Sequence, residues 1–212
     1  MRVYSVPALL CGILVAVYWM RVGRMAIKTR RKTGNAANLL PPELLGRLLR
    51  IIWFPTVGAW IILPFVVATR QQLQLPIFLR PLFVDRVINY AAAILVGVCL
   101  AASWVCWRRM GKSWRMGINP NEKTTLIVSG PYAYVRHPIY ALSTLMMLAT
   151  IVSVPSPTML VVGLVHSLLL QWEARREEQY LLSVHGDTYG RYRSAVGRFV
   201  PRRFKPFAMG KA

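Results

Sequence analysis

The sequence predicts an all-α, polytopic membrane protein with about five transmembrane helices, the last two forming a tight hairpin before a cytosolic C-terminal helix. Hydrophobic residues make up 55% of the 212 residues and charged residues only 16%, too few for the surface of a soluble domain. The charges also lie between long uncharged runs. The 27 Lys and Arg against 7 Asp and Glu give a net charge of +20. Because these cations sit in connections between apolar runs, nucleic acid is not expected as a partner.

Three uncharged runs predict one membrane span each. They are Val3–Met20, Ile51–Thr69 and Val87–Trp107, with 18, 19 and 21 residues. A helix needs about 20 apolar residues to cross the hydrocarbon core. We interpret the first run as a span rather than as a signal peptide, because no small-residue cleavage site precedes the basic stretch that follows it.

The fourth uncharged run, Ile139–Trp172, is too long for one span. The segment Ser153-Val154-Pro155-Ser156-Pro157 lies near its middle. Two prolines flanked by serines end a helix and favour a turn. The run therefore predicts a helical hairpin of two shorter spans.

The distribution of cations predicts the orientation. Residues 21–50 hold eight Lys and Arg, residues 108–136 hold six, and the part after Trp172 holds nine. The N-terminal dipeptide and residues 70–86 hold only four together. We expect the protein in a bacterial-type inner membrane. Because positive loops stay on the cytoplasmic side, its N-terminus is expected outside, and its C-terminus and active site on the cytoplasmic side.

The connections and the C-terminal region have patterns of their own. Residues 38–50 predict either a short amphipathic helix at the interface or a simple connector. The region after Trp172 predicts a helix that Gly186 interrupts. Beyond it, the basic tail Arg202-Arg203-Phe204-Lys205 predicts contact with anionic lipid headgroups.

The cysteine and histidine patterns predict no metal site. Cys11, Cys99 and Cys106 all lie in apolar runs and give neither a disulfide framework nor ligand spacing. The three histidines lack zinc-site spacing, and we expect His166 to be a buried, hydrogen-bonded residue.

The segment Gly111–Tyr140, with the sequence GKSWRMGINPNEKTTLIVSGPYAYVRHPIY, is the first candidate for function. It is a long connection between two spans, and such connections are more often functional than shorter ones. Its Ser-Gly-Pro predicts a turn, and Pro138 suits the first turn of the next helix with His137 at the cap. The alternatives are a belt of interfacial anchors and, for His137, a cap without chemical role.

A second candidate is the group of acids after the last predicted span. Three of the seven acids, Glu173, Glu177 and Glu178, occur there together. Glu173 and Glu177 are four residues apart and share a helical face. A solvated surface helix is the ordinary explanation, but few other acids are available to bind a cationic ligand.

Several motifs in order resemble the isoprenylcysteine carboxyl methyltransferase family, which also takes in membrane phospholipid N-methyltransferases. They are GPYAYVRHPIY, an apolar hairpin, EEQYL, HGDTYGRY and VGRFVP, and they cover about residues 111–201. The resemblance implies S-adenosyl-L-methionine as methyl donor in a cytosol-facing pocket and a lipophilic acceptor from the bilayer. It favours O-methylation of an isoprenylcysteine-type carboxylate, with N-methylation of phosphatidylethanolamine as the alternative. It also divides the chain into N-terminal spans, residues 1–107, and a catalytic half, residues 108–212, within one structural unit.

The resemblance also implies site residues. The residues implied to bind the cofactor are Thr124, Thr125, Leu126, Ile127, Tyr132, His137, Pro138, Ile139, Tyr140 and Glu177. The chemistry of transfer adds candidate catalytic residues from the same region. Arg136, Arg175 or Arg176 would orient a carboxylate acceptor, and His137 or Glu178 would accept the proton of an amine.

Two positions depart from the family pattern. Leu142 stands where the family usually has glycine, which is expected to narrow the pocket or alter the hairpin packing. Glu173 stands where the carboxylate-methylating enzymes tend to have arginine, which weakens the prediction of a carboxylate acceptor.

Two other classes of function remain open from the sequence. One is an NADPH-dependent membrane reductase, because integral sterol reductases have a distantly similar C-terminal half, although they are about twice as long. The other is a non-catalytic membrane protein that binds anionic lipid. The sequence specifies no oligomeric state, since no small-xxx-small pattern dominates a span.

Overall fold

The computed structural model describes residues 5–33, 44–69, 75–111, 114 and 125–208. These residues form five α-helices: α1 (Ser5–Thr33), α2 (Leu44–Thr69), α3 (Arg86–Met110), α4 (Pro138–Ser153) and α5 (Pro157–Ala195). In this part of the chain the β-type pairing is a single isolated bridge between Val135 and Gly197. The predicted all-α fold is confirmed.

Three of the helices, α1, α2 and α3, are long and apolar enough to cross a membrane. Large apolar side chains stay exposed on all five helices, among them Ile13, Ile62, Ile94, Leu148 and Leu164. Exposed apolar surface of this extent is typical of a lipid-facing exterior. The protein is therefore an integral membrane protein.

The N-terminal helices extend further than the uncharged runs. Helix α1 continues to Thr33, so much of the predicted basic loop at residues 21–50 is helical. Residues 44–50 form the first turns of α2 instead of a separate interfacial helix, and residues 38–43 lie outside the described residues. The basic stretches extend these helices because Lys and Arg are good helix formers whose charged ends reach the headgroup region.

The last two helices form the predicted hairpin. Helix α4 ends at Ser153 and α5 begins at Pro157. The Ser156 side chain caps α5 by accepting a hydrogen bond from the Met159 N–H, and Pro157 occupies the first helical position. The segment before α3 contacts this turn, because the Leu82 N–H donates a hydrogen bond to the Pro155 carbonyl at 2.6 Å. Both the hairpin and its position are confirmed.

Helix α5 passes from the apolar segment into the C-terminal segment without interruption at Trp172. The helix is broken where predicted, at Gly186, whose φ of 50° lies in the left-handed region that glycine tolerates. The acids after Trp172 are thus held rigidly by the same helix that forms the hairpin.

All five helices contribute to one core that is rich in aromatic residues. Trp60 is fully buried, and its indole N–H donates to Thr150 Oγ1 at 3.1 Å. His166 lies against the Trp60 ring and 3.1 Å from Ser143 Oγ. The prediction that His166 is buried and hydrogen-bonded is confirmed.

After α5 the chain folds back onto the segment before α4. The N–H groups of Arg136 and His137 donate to the carbonyls of Gly197 at 2.8 Å and Arg198 at 3.0 Å. A Cβ atom at Gly197 would lie 1.9 Å from the Val200 carbonyl oxygen, so this close turn requires glycine. Beyond the turn, Arg202, Arg203, Phe204 and Lys205 are exposed. Their contact with lipid headgroups stays a prediction.

Candidate active site

The start of α4 positions the central residues of the site. His137 is the N-cap residue and Pro138 occupies the first turn, as the sequence predicts. The His137 side chain makes no capping hydrogen bond, because its ring is turned towards the acids of α5. A cap function alone therefore does not account for His137.

The His137 ring lies between two carboxylates. Its Nδ1 is 3.3 Å from Glu177 Oε2, and its Nε2 is 3.4 Å from Glu178 Oε1. The ring also stacks on the Tyr140 ring, with 5.4 Å between centroids and 6° between planes. Burial alone would lower the pKa of His137, but the hydrogen bonds and charges of Glu177 and Glu178 raise it above the ordinary value.

Glu178 is enclosed by arginines. Its Oε1 accepts hydrogen bonds from Arg136 Nη2 at 2.8 Å and Arg198 Nε at 2.8 Å, and its Oε2 accepts one from Arg198 Nη2 at 2.7 Å. The side chain is only 2% exposed. Burial would raise the pKa of Glu178, but hydrogen bonds from His137, Arg198 and Arg136 hold it far below its usual range. Glu178 is therefore a permanent anion that binds the C-terminal turn to α5.

Glu177, the preceding acid, keeps contact with the exterior. Its side chain is 24% exposed. Tyr140 donates a hydrogen bond to Glu177 Oε1 at 2.5 Å, while His137 contacts Oε2. These two contacts fix the carboxylate in place and leave part of it accessible to a ligand.

The remaining predicted residues lie at several places. Arg136 is buried, and besides Glu178 it donates to the carbonyls of Arg193, at 2.9 Å, and Val196. Arg176 instead pairs with Glu173, with Nη1 3.0 Å from Oε2. Thr124 lies outside the described residues.

The approach to the site has no strand structure at Thr125, Leu126 and Ile127. Leu126 packs against the cluster of Tyr189, Tyr192 and Val196 at the end of α5. Tyr132 is buried, its carbonyl accepts a hydrogen bond from Tyr192 Oη at 2.6 Å, and its own Oη has no hydrogen-bond partner among the described residues. Burial raises the pKa of Tyr132, so its hydroxyl stays protonated and can donate to a ligand.

An aromatic cleft of about 740 Å³, its open mouth included, lies beside this site. Five helices contribute to its wall, and the residues are Tyr18, Trp19, Val22, Gly46, Leu49, Arg50, Trp53, Trp107, Trp114, Ile139, Tyr140, Ser143, Leu169, Leu170 and Glu173. Tyr140 belongs to both regions, because it lines the cleft and also binds Glu177. Apolar clefts with few polar groups are typical binding sites for lipophilic molecules.

Two residues of this region are not predicted from the sequence. Arg198 is the partner of the buried Glu178. The sequence marks it only as the one cation of the VGRFVP motif. Arg50 lies 123 positions before Glu173, and its Nη2 is 3.5 Å from Glu173 Oε1. In the sequence Arg50 is only the last cation before the second span, and this position does not predict its pairing with Glu173.

These features define the class of an integral membrane protein with a polar site beside a lipophilic cleft. Residues 91–183 match the model of the isoprenylcysteine carboxyl methyltransferase (ICMT) family. The match includes α4, His137, Tyr140 and the acids of α5 up to Glu178. Over these residues the family model agrees with the resemblance that the sequence motifs indicate.

A curated relative supports the same family. The Protein-S-isoprenylcysteine O-methyltransferase of Schizosaccharomyces pombe is 38% identical over 87 residues, which cover 38% of this chain and 35% of the relative. The chain thus spans about a third of the length of the curated relative it matches. No solved structure matches the chain.

The contacts of His137 predict a dependence of stability on pH. Because its pKa is raised in the folded protein, the protonated ring stabilises the fold fully below its ordinary pKa of 6.5, and this stabilisation is lost as the pH rises through the elevated value. We expect the wild-type thermal unfolding temperature to fall over this range more steeply than that of His137→Gln. Parallel curves for the two proteins would contradict the ion pairs of His137 with Glu177 and Glu178.

Proposed function

We propose that this protein is a membrane methyltransferase that transfers a methyl group from S-adenosyl-L-methionine to a lipophilic acceptor. One observation carries the proposal: the partly exposed carboxylate of Glu177 is held by His137 and Tyr140 beside an aromatic cleft. These residues all lie in the region that matches the methyltransferase family.

The residues present fit the donor, which has an ammonium, a carboxylate, a sulfonium and an adenosine. Glu177 offers a carboxylate for the ammonium or the ribose hydroxyls. The N–H groups of Ile139 and Tyr140 belong to the first turn of α4, which no side chain caps, and they suit a carboxylate. The Tyr132 hydroxyl, buried without a hydrogen-bond partner in the described chain, is a further polar group available to the ligand.

The rings of Tyr132 and Tyr140 supply aromatic surface for the adenine or the sulfonium. Leu126 and Ile127 lie on the approach to Tyr132 and offer apolar side chains, with Thr125 before them. Bound there, S-adenosyl-L-methionine supplies an electrophilic methyl group on sulfur.

The contribution of the protein is then positioning and exclusion of water. Holding two reactants at near-attack distance supplies on the order of 7 to 11 kcal/mol of the barrier. Arg136 and Glu178 act as positioning residues in this proposal, since their contacts fix His137 and the C-terminal turn. Arg176 contacts Glu173 at the wall of the cleft.

The cleft is the proposed entry for the acceptor from the bilayer, and the donor enters from the cytoplasm. The name of the curated relative refers to isoprenylcysteine O-methylation, so an isoprenylcysteine-type carboxylate is the first acceptor to test. A phosphatidylethanolamine-type amine is the second. The residues of the cleft lie at helix ends next to the basic stretches of the chain. Basic stretches favour the cytoplasmic side, so the site is proposed to face the cytoplasm and the N-terminus to lie outside.

The decisive experiment measures donor binding by the full chain in lipid nanodiscs. We expect calorimetry to show binding of S-adenosyl-L-methionine and its demethylated product, and no binding of NADPH. Membranes incubated with methyl-labelled donor are then expected to place label in a lipophilic product. Absence of donor binding contradicts the proposal, and NADPH binding in its place favours the reductase alternative.

A further inference from the structure

We infer that Glu173 binds the reacting group of the acceptor and accepts its proton, so that the cleft selects a lipophilic amine over a carboxylate. The inference rests on the proposed methyl transfer and names the acceptor class. It concerns Glu173, which belongs to the group of acids after the last predicted span and departs from the family pattern.

The charges of the cleft are few. Of the residues that line it in the described chain, Glu173 is the carboxylate and Arg50 is the cation, and most of the others are apolar or aromatic. The side chains of Arg50 and Glu173 are only 10% and 14% exposed. An acceptor inside the cleft therefore meets these two charges in a surrounding of low polarity, where electrostatic interactions are strong.

Glu173 has one oxygen engaged and one available. Its Oε2 accepts a hydrogen bond from Arg176 Nη1 at 3.0 Å. Its Oε1 is buried without a hydrogen bond among the described residues, although Arg50 Nη2 lies 3.5 Å away. A buried acceptor atom without a donor is rare and calls for a partner, and an amine N–H supplies one.

Arg50 is also less available to an acceptor anion than its charge suggests. Its guanidinium lies over the Trp53 ring, with Cζ 5.0 Å from the centroid, and close to Glu173. A second carboxylate in the cleft would have to approach Arg50 beside the Glu173 anion, and like charges in one site repel each other. A cationic or neutral amine meets attraction at the same place.

The other acids and the histidine are poor proton acceptors. Glu178 is bound by two arginines that hold its pKa far below the usual range. His137 has both ring nitrogens against Glu177 and Glu178, and it is not among the residues that line the cleft. Glu177 is the proposed partner of the donor. Glu173 is therefore the proposed proton acceptor, and it lies one helical turn from Glu177 on the same face. Burial together with the Glu177 charge raises the pKa of Glu173, which makes its carboxylate a stronger proton acceptor.

The proposed reaction consists of a proton transfer to Glu173 and a methyl transfer to the amine. An ammonium acceptor first gives one proton to the Glu173 carboxylate, which leaves a neutral amine with a free lone pair. The amine nitrogen then forms a bond to the methyl carbon while the bond from carbon to sulfur breaks, and the electron pair stays on the sulfur as a neutral thioether. The methylated ammonium leaves, and Glu173 returns its proton to water.

The test compares two probes that differ only in the reacting group, hexadecylamine and hexadecanoic acid. The full chain in nanodiscs is examined as wild type, as Glu173→Gln and as the control Asp187→Asn. Asp187 is an exposed acid of the same helix outside the site. Binding of each probe without donor is followed by tryptophan fluorescence, since Trp19, Trp53, Trp107 and Trp114 line the cleft. Methylation is followed with labelled S-adenosyl-L-methionine.

We expect the wild type to bind and methylate the amine at least tenfold better than the acid. Glu173→Gln is expected to lower amine methylation by about 10² to 10⁴ fold with unchanged donor affinity, and Asp187→Asn to match the wild type. The loss should shrink as the pH rises, because a larger share of the amine is then neutral without a base. A purely structural effect of the substitution would not give this pH dependence. The other charged or titratable groups that interact with Glu173 are Arg50, Tyr140, Arg176 and Glu177.

The outcomes separate the inference from the proposed function. A protein that binds the donor but prefers the acid, or methylates neither probe, overturns the amine assignment and leaves donor binding intact. Full activity of Glu173→Gln on the amine overturns the role of Glu173. A protein that binds no donor overturns the proposed function itself.

Discussion

Replacing Glu178 by glutamine is expected to lower the free energy of unfolding by about 3 to 5 kcal/mol, the usual cost of breaking a buried ion pair from one side. The carboxylate is 2% exposed and accepts hydrogen bonds from both Arg136 and Arg198. Glutamine keeps the shape but removes the charge. The Arg136 guanidinium, with a side chain only 5% exposed, would then be buried without a counterion.

The measurement is thermal or denaturant unfolding in detergent, followed by helical circular dichroism. For a chain of this length the expected loss corresponds to an unfolding temperature about 10 °C lower. Asp187→Asn removes one exposed acid from the same helix and is expected to change little. Arg198→Gln should give an intermediate loss, since that side chain is 27% exposed. Equal stability of Glu178→Gln and Asp187→Asn would contradict the buried cluster.

The parts of the fold that the sequence predicts well are those with local causes. Two prolines and two serines fix the hairpin turn at residues 153–157, and Pro138 fixes the start of α4. The uncharged runs locate the spans because burial in lipid requires unbroken apolar segments. Helix ends outside the membrane are less well predicted. Helix α1 continues through its basic stretch because no charge by itself ends a helix.

The site is predictable only as far as motifs in the sequence mark its residues. The family resemblance implies that His137, Tyr140 and Glu177 bind the cofactor together, and in the structure Glu177 contacts the other two. The pairs made by Arg50 with Glu173 and by Arg198 with Glu178 depend on how helices and the C-terminal turn pack. No periodicity or spacing encodes such contacts, so their chemistry becomes visible only in three dimensions.

The two adjacent acids also show what the sequence leaves open. Glu177 and Glu178 have the same side chain, but neighbouring positions on a helix point in different directions. The side chain of one is 24% exposed and the other 2%. The sequence pattern assigns both to the active site, whereas the contacts make Glu177 accessible and Glu178 a structural counterion.

That contrast predicts opposite results for the two acids. Glu177→Gln is expected to weaken binding of S-adenosyl-L-methionine by about 10 to 100 fold or more, since hydrogen bonds to charged groups contribute about 1.5 to 3 kcal/mol each. Its effect on unfolding should be small beside that of Glu178→Gln, because Glu177 is partly exposed. Its partners are Tyr140 and His137, so its replacement does not remove the counterion of a buried arginine.

Calorimetric titration of the donor into wild type, Glu177→Gln and Asp187→Asn checks this expectation, with circular dichroism of each protein to show that the helices are retained. The demethylated product is a useful second ligand, because it keeps the ammonium and ribose groups and lacks the methyl group and, with it, the sulfonium charge. If Glu177 holds the ammonium or the ribose, both ligands lose affinity to a similar extent. Loss for the donor alone would instead place Glu177 against the sulfonium, and unchanged affinity for both would move the donor site away from the start of α4.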